Sequence, residues 1–126
     1  MTYKNILLVD DDQDDAEIFM DAVKDIDPAV HCTVENNSIQ ALQKLHNADL
    51  IPDIIFLDYR MPHLDGLEFL RLLRAGKKGE EVQVMIYSGY LDPALQEAAL
   101  SFSKVGFFRK TENYPSLVEM LRAVIG

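Results

Sequence analysis

The sequence predicts an α/β fold, a doubly wound five-stranded parallel sheet carrying five helices on its two faces. Two unbroken apolar runs, 6–9 (Ile-Leu-Leu-Val) and 54–57 (Ile-Ile-Phe-Leu), lack the polar alternation of a half-exposed strand; such runs belong to strands buried on both faces. Segments with helical spacing separate the strand-like stretches. Strands alternating with helices give parallel pairing through right-handed crossovers. A third observation concerns the strand ends. Each of four strand-like runs stops at a polar residue, and in open α/β sheets those carboxyl ends are where sites form.

The first run ends in acids, and apolar residues at Ile18, Ala22, Val23 and Ile26 follow at helical spacing until Pro28 stops the helix. Residues 30–34 are β-rich. Ser38 is the expected N-cap of a second helix with Ile39, Leu42 and Leu45 on its apolar line. Pro52 and Asp53 lead into the third strand, which delivers Asp58. Gly66 precedes a helix with Leu67, Leu70 and Leu73 on one side, closed by Gly76 and Gly79. Strand four is expected at 82–87. Asp92 caps a fourth helix, with Pro93 in its first turn, running through Leu95, Ala98, Ala99 and Phe102. Residues 105–109 form the fifth strand, and Leu117, Leu121 and Val124 line the last helix.

The 126 residues fit one domain, expected to span 1–126 with no output domain. Apolar residues make up 48% and charged ones 26%, a balance that favours folding. The net charge of −9 argues against binding nucleic acid, which needs basic patches, and against anionic membrane surfaces. No signal-peptide pattern occurs in residues 1–5 and no apolar run reaches membrane-spanning length, so a cytoplasmic location is expected. The single cysteine, Cys32, has no internal partner for a bridge.

Asp10 and Asp11 end strand one, Asp58 strand three, Ser88 strand four and Lys110 strand five. If strands one and three are neighbours, three carboxylates converge, and a bound cation relieves their repulsion. Oxygen-only ligands combined with water and phosphate oxygens suit Mg²⁺. A carboxylate beside such a cation can act as a nucleophile and form an acyl phosphate, with Lys110 and the Ser88 hydroxyl placed to hold phosphoryl oxygens. Any one strand-end acid is most simply a helix cap. Five matched positions are poorly explained that way.

These residues resemble those of response-regulator receiver domains. Ile6-Leu7-Leu8-Val9-Asp10-Asp11-Asp12 looks like the start of that family, and Asp58-Tyr59-Arg60-Met61-Pro62-His63-Leu64-Asp65-Gly66 its D-x-x-M-P-x-x-D-G signature. Ser88 and Lys110 match its hydroxyl and lysine positions, so the resemblance covers nearly the whole chain. It implies a flavodoxin-like sheet of order 2-1-3-4-5. It implies phosphorylation of Asp58 from a sensor histidine kinase. Mg²⁺ would be held by Asp11, Asp58 and the backbone carbonyl of Arg60, with Asp10 acting through water. Ser88 and Phe107 would be the switch residues, reporting to a partner or homodimer face formed by the fourth helix, fifth strand and fifth helix. A histidine phosphotransfer protein or a separate target is the implied downstream partner, and the kinase could be of the chemotaxis or the phytochrome type. The chain would then be no enzyme toward external substrates, catalysing only its own phosphorylation and dephosphorylation.

The sequence also departs from the family. Thr111 follows Lys110 where proline is usual, so a trans peptide and an altered loop are expected. Arg60 and Tyr90 occupy the two positions that tune phosphoryl lifetime; neither offers a carboxylate or amide to position water, which implies slow autodephosphorylation. An aspartate-nucleophile phosphatase would share a strand-end D-x-D, here Asp10 to Asp12, with Mg²⁺ and lysine. The chain is short for a substrate-covering cap, and the acceptor signature lies on strand three. A degenerate receiver is disfavoured because every required residue is present. Asp10, Asp12 and Asp14 mimic a calcium loop, but Asp15 stands where glycine is needed. Asp12, Asp14 and Asp15 are read as favouring the first turn of helix one. His31, His46 and His63 show no ligand pattern, Cys32 reads as a small core residue, and Lys77-Lys78 as a solvated turn.

Overall fold

The computed structural model describes residues 3–61, 64–76, 82–90 and 92–126. Pro62 and His63 of the signature, the Lys77-Lys78 turn, Gly79 as a helix terminator and residues 1–2 ahead of the first strand lie outside them. Ten elements alternate: β1 (Asn5–Val9), α1 (Gln13–Ile26), β2 (His31–Glu35), α2 (Ser38–His46), β3 (Ile54–Asp58), α3 (Gly66–Ala75), β4 (Gln83–Ser88), α4 (Pro93–Ala99), β5 (Val105–Arg109) and α5 (Tyr114–Ile125).

The five strands form one sheet in the order β2-β1-β3-β4-β5, parallel at every pairing. The chain leaves β1 for one edge and returns beside it with β3, so the loops after these strands part and open a crevice at their carboxyl ends. Register sets which ends meet. Val9 pairs with Leu57, so Asp10 and Asp58 emerge side by side. Ser88 pairs with Arg109, which brings Lys110 up beside the end of β4.

Strand alternation divides the core into two layers. Ile6, Leu8, Ile54, Phe56, Tyr87 and Phe108 pack under α1 and α5; Leu7, Val9, Ile55, Leu57, Val84 and Ile86 pack under α2, α3 and α4. By the same alternation Asp10, Asp58 and Lys110 continue the α1–α5 layer. Ser88 continues the other, the one against which Phe107 packs.

Several local expectations are corrected. The N-cap of α2 is Asn37, whose side chain accepts from the amides of Ile39 and Gln40, and Ser38 is already helical. Asp65 caps α3, with Gly66 inside the helix; Gly66 is kept small because a Cβ there would come within 3.1 Å of Tyr59. Helix α4 stops at Ala99, short of Phe102. The buried line of α1 is Ala16, Phe19, Ala22 and Val23, whereas Ile18 is exposed; Ile39 of α2 is exposed as well. Pro93 sits in the first turn of α4 behind Asp92, as read from the sequence.

Candidate functional site

The acids reach the carboxyl edge because β1 and β3 are too apolar to end anywhere but at their first carboxylate. Asp10 and Asp58 are both buried, and Asp11 beside them is exposed. One carboxylate oxygen from each of Asp10, Asp11 and Asp58 lies within 4.8 Å of the others. Backbone donors fix the two buried groups. The Asp12 amide donates to Asp10 Oδ1 at 2.9 Å and the Arg60 amide to Asp58 Oδ1 at 3.3 Å. The Asp10 amide in turn donates to the carbonyl of Glu35 at 3.1 Å, which locks the end of β1 to that of β2.

Lys110 supplies the positive charge. Its backbone N–H donates to the Ser88 carbonyl at 2.8 Å, and its Nζ stands 3.3 Å from Asp10 Oδ2, 3.5 Å from Asp58 Oδ2 and 3.1 Å from Asp15 Oδ2. The ammonium also lies 4.9 Å from the centre of the Tyr87 ring, within cation–π range. No cis peptide occurs among the described residues, so Thr111 follows Lys110 through a trans bond, as the missing proline predicts.

The electrostatics follow from this crowding. Burial pushes the Asp58 carboxyl up to about 7; the Lys110 charge opposes this and the nearby Asp10 adds to it. Asp10 is raised too, by burial first, against the Asp12 amide and Lys110. Burial would favour a neutral lysine, but Asp10, then Asp58 and Asp15, outweigh it and keep Lys110 charged well above its ordinary range. Burial lifts the Tyr87 hydroxyl to about 12. Three clustered carboxylates against one ammonium leave net negative charge in a space lined by hard oxygens. That donor set fits a divalent cation such as Mg²⁺.

Asp10, Asp11, Asp58 and Lys110 are thus brought together. Ser88 stands at the neighbouring strand end, but its hydroxyl is turned onto its own loop, donating to the Tyr90 carbonyl at 2.9 Å and accepting the Tyr90 amide at 3.3 Å. Phe107 is half-buried in the opposite core layer. Arg60 and Tyr90 are both exposed. Sequence reasoning missed Asp15 as a partner of Lys110. Its signal was the helical line through Phe19 and Val23, which begins one turn earlier at Asp15. Asp12 does act at the start of α1, accepting from the Asp15 amide at 3.1 Å.

The remaining candidates stay apart from the site. His31 and His46 are exposed. Cys32 packs against the α1–α5 layer, where burial pushes its thiol up to about 11 and so disfavours the thiolate.

The response regulator receiver domain family matches residues 6–122, and the chain belongs to it. It is a receiver domain of two-component signalling. Among curated relatives, the cyclic di-GMP phosphodiesterase response regulator RpfG of Xanthomonas campestris is 29% identical over 106 residues. That alignment covers 84% of this chain and 28% of that protein. The transcriptional regulatory protein BtsR of Escherichia coli is 27% identical over 100 residues, covering 77% of this chain and 40% of that one. The chain therefore spans well under half the length of these relatives. In fold it is similar to the phosphorylated cyanobacterial phytochrome response regulator RcpA, with a TM-score of 0.86 at 19% identity over 98% of this chain and 91% of that one. It is likewise similar to the chemotaxis response regulator CheY4 of Vibrio cholerae, at 0.80 and 20% identity over 98% and 99%. No helix among the described residues is long and apolar enough to cross a membrane.

Proposed function

We propose that this receiver takes a phosphoryl group from the phosphohistidine of a sensor histidine kinase onto Asp58 and signals through an altered partner surface, in the cytoplasm. The observation that carries the reading is the buried Asp58 carboxylate, 3.5 Å from Lys110 and grouped with Asp10 and Asp11.

In the transfer, an Asp58 oxygen attacks phosphorus, an acyl O–P bond forms, and the N–P bond of the donor histidine breaks with its electron pair returning to the imidazole. Lys110, 3.5 Å from Asp58 Oδ2, would take up one phosphoryl oxygen, while the Arg60 amide, which donates to Oδ1, would keep the other Asp58 oxygen oriented. Ser88 would leave Tyr90 to hold another oxygen, and Phe107, packed in the same core layer, would follow it. Mg²⁺, held by Asp11, Asp58 and the Arg60 carbonyl with Asp10 through water, would offset the charge accumulating on the phosphoryl oxygens. The chain would act on no external substrate. The face formed by α4, β5 and α5 would meet a target protein, a histidine phosphotransfer domain or a second copy.

Intact-mass spectrometry after treatment with acetyl phosphate and Mg²⁺ tests the assignment. One added phosphoryl mass that needs both Mg²⁺ and Asp58, and is lost in Asp58→Asn, is the expected result. A folded wild type that gains no mass overturns it.

A further inference from the structure

Lys110 has one more acidic partner than phosphoryl transfer asks of it. Its shortest ion pair is to Asp15 at 3.1 Å, ahead of Asp10 at 3.3 Å and Asp58 at 3.5 Å. Asp15 is not one of the three carboxylates that draw together at the strand ends. A cation among those three would offset Asp10 and Asp58 and leave the pull of Asp15 on the lysine intact. We propose that Asp15 is a positioning residue, a tether that holds the Lys110 ammonium on the α1 side of the site and competes with the incoming phosphoryl group for it. The inference rests on Asp58 being the phosphoacceptor.

The tether is built into α1. The Asp15 amide is held by the capping carboxylate of Asp12, and Asp15 stands one turn before Phe19 on the buried line of the helix, so its side chain faces the sheet end. The Tyr87 ring, which lies against Phe19, sits beneath the same ammonium. The lysine side chain is 22% exposed and the Asp15 side chain 41% exposed. An ion pair this open to water adds little to stability. It is strong enough to bias where a flexible ammonium with three N–H donors spends its hydrogen bonds. When a phosphoryl group on Asp58 presents its oxygens, the share given to Asp15 is the one that has to be surrendered, because Asp10 is buried and Asp15 is not. Removing the Asp15 charge then tightens binding of a phosphoryl mimic by about two- to five-fold, the span set by an exposed ion pair.

The experiment is a titration of the full chain with beryllofluoride at saturating Mg²⁺, followed by the ¹⁹F signal of the bound form, for wild type, Asp15→Asn, Asp15→Glu and Asp14→Asn. Asp14, exposed on the same turn, carries the same charge and is not among the ion-pair partners of Lys110, so it reports through-space charge alone. Binding in Asp15→Asn tightened by about two- to five-fold, with Asp14→Asn near wild type and Asp15→Glu restored toward it, is the expected result. Asp15→Asn matching Asp14→Asn, or binding more weakly than wild type, overturns the tether and leaves the phosphoacceptor reading standing. Wild type that binds no beryllofluoride takes down both.

Discussion

Ser88 spends its hydroxyl on Tyr90: the Oγ donates to the Tyr90 carbonyl at 2.9 Å and accepts the Tyr90 amide at 3.3 Å. The hydroxyl that stands beside Asp58 in the chain's proposed chemistry is thus engaged in closing the loop between β4 and α4. Any move toward a phosphoryl group has to break that closure. If Ser88 senses the phosphoryl group as proposed, loop rearrangement and sensing are one event.

Ser88→Ala separates the chemistry from its readout. Asp58, Lys110 and the acid cluster are untouched, so an acetyl phosphate adduct should still form. The Tyr90 amide and carbonyl lose their shared partner at an exposed loop, a cost of about 1 kcal/mol. Amide chemical shifts for the described part of the β4–α4 loop and for β5 should move on beryllofluoride addition in wild type and barely in the variant. Shifts of equal size in both would disconnect Ser88 from the switch.

The Asp58 carboxyl makes stability depend on pH. Its folded pKa of about 7 lies above its ordinary value of 3.8, so the folded state holds a proton that the unfolded chain has already released between those values. Stability from this group is full below about 4 and is lost as pH rises through about 7. Asp58→Asn removes the dependence. In metal-free buffer it should gain on the order of 2 kcal/mol over wild type at pH 8 and almost nothing at pH 4. Adding Mg²⁺ at pH 8 should stabilise wild type selectively and shrink the gap. Thermal melts of the two proteins at both pH values, with and without Mg²⁺, read this directly; parallel curves would mean that Asp58 is not strained by its burial.

Phosphoryl lifetime is set by what can aim water at the acyl phosphate. Arg60 and Tyr90 flank the site, both exposed, and neither carries an amide or carboxylate to act on a water. Phosphorylated protein, freed of donor and held at neutral pH, should keep its added mass for many minutes, and Tyr90→Glu should shorten that time. Loss within seconds in wild type contradicts the expectation.

The strands and their polar ends were readable because unbroken apolar runs at 6–9 and 54–57 have only one stable environment, a sheet covered on both sides. The acids and the lysine that cluster at those ends came with them. Helix faces were harder. Ile18, Phe19 and Met20 are consecutive and apolar, so spacing alone allows more than one buried line, and the structure chose Phe19. Asn37 and Ser38 are equally good capping residues; the extended backbone of Asn37 decides between them. Asp15 was hidden for the same reason as Phe19, since its role appears only once the facing side of α1 is known. The direction of the Ser88 hydroxyl is a rotamer, which no sequence pattern encodes.

Phe19 is where that unread face has its energetic weight. Its ring is fully buried, 5.0 Å from Phe56 edge to face and 5.7 Å from Tyr87, whose ring also lies under the Lys110 ammonium. Phe56 in turn meets Phe108, two residues before Lys110. The aromatic cluster therefore joins α1 to the strand that presents the lysine. Phe19→Ala should cost about 3–5 kcal/mol in urea unfolding, while Ile18→Ala, one residue away and exposed, should cost below about 1 kcal/mol. Equal losses at the two positions would show that α1 packs by the Ile18 line instead. Asp15 would then no longer face the sheet end, and its pairing with Lys110 would go with it.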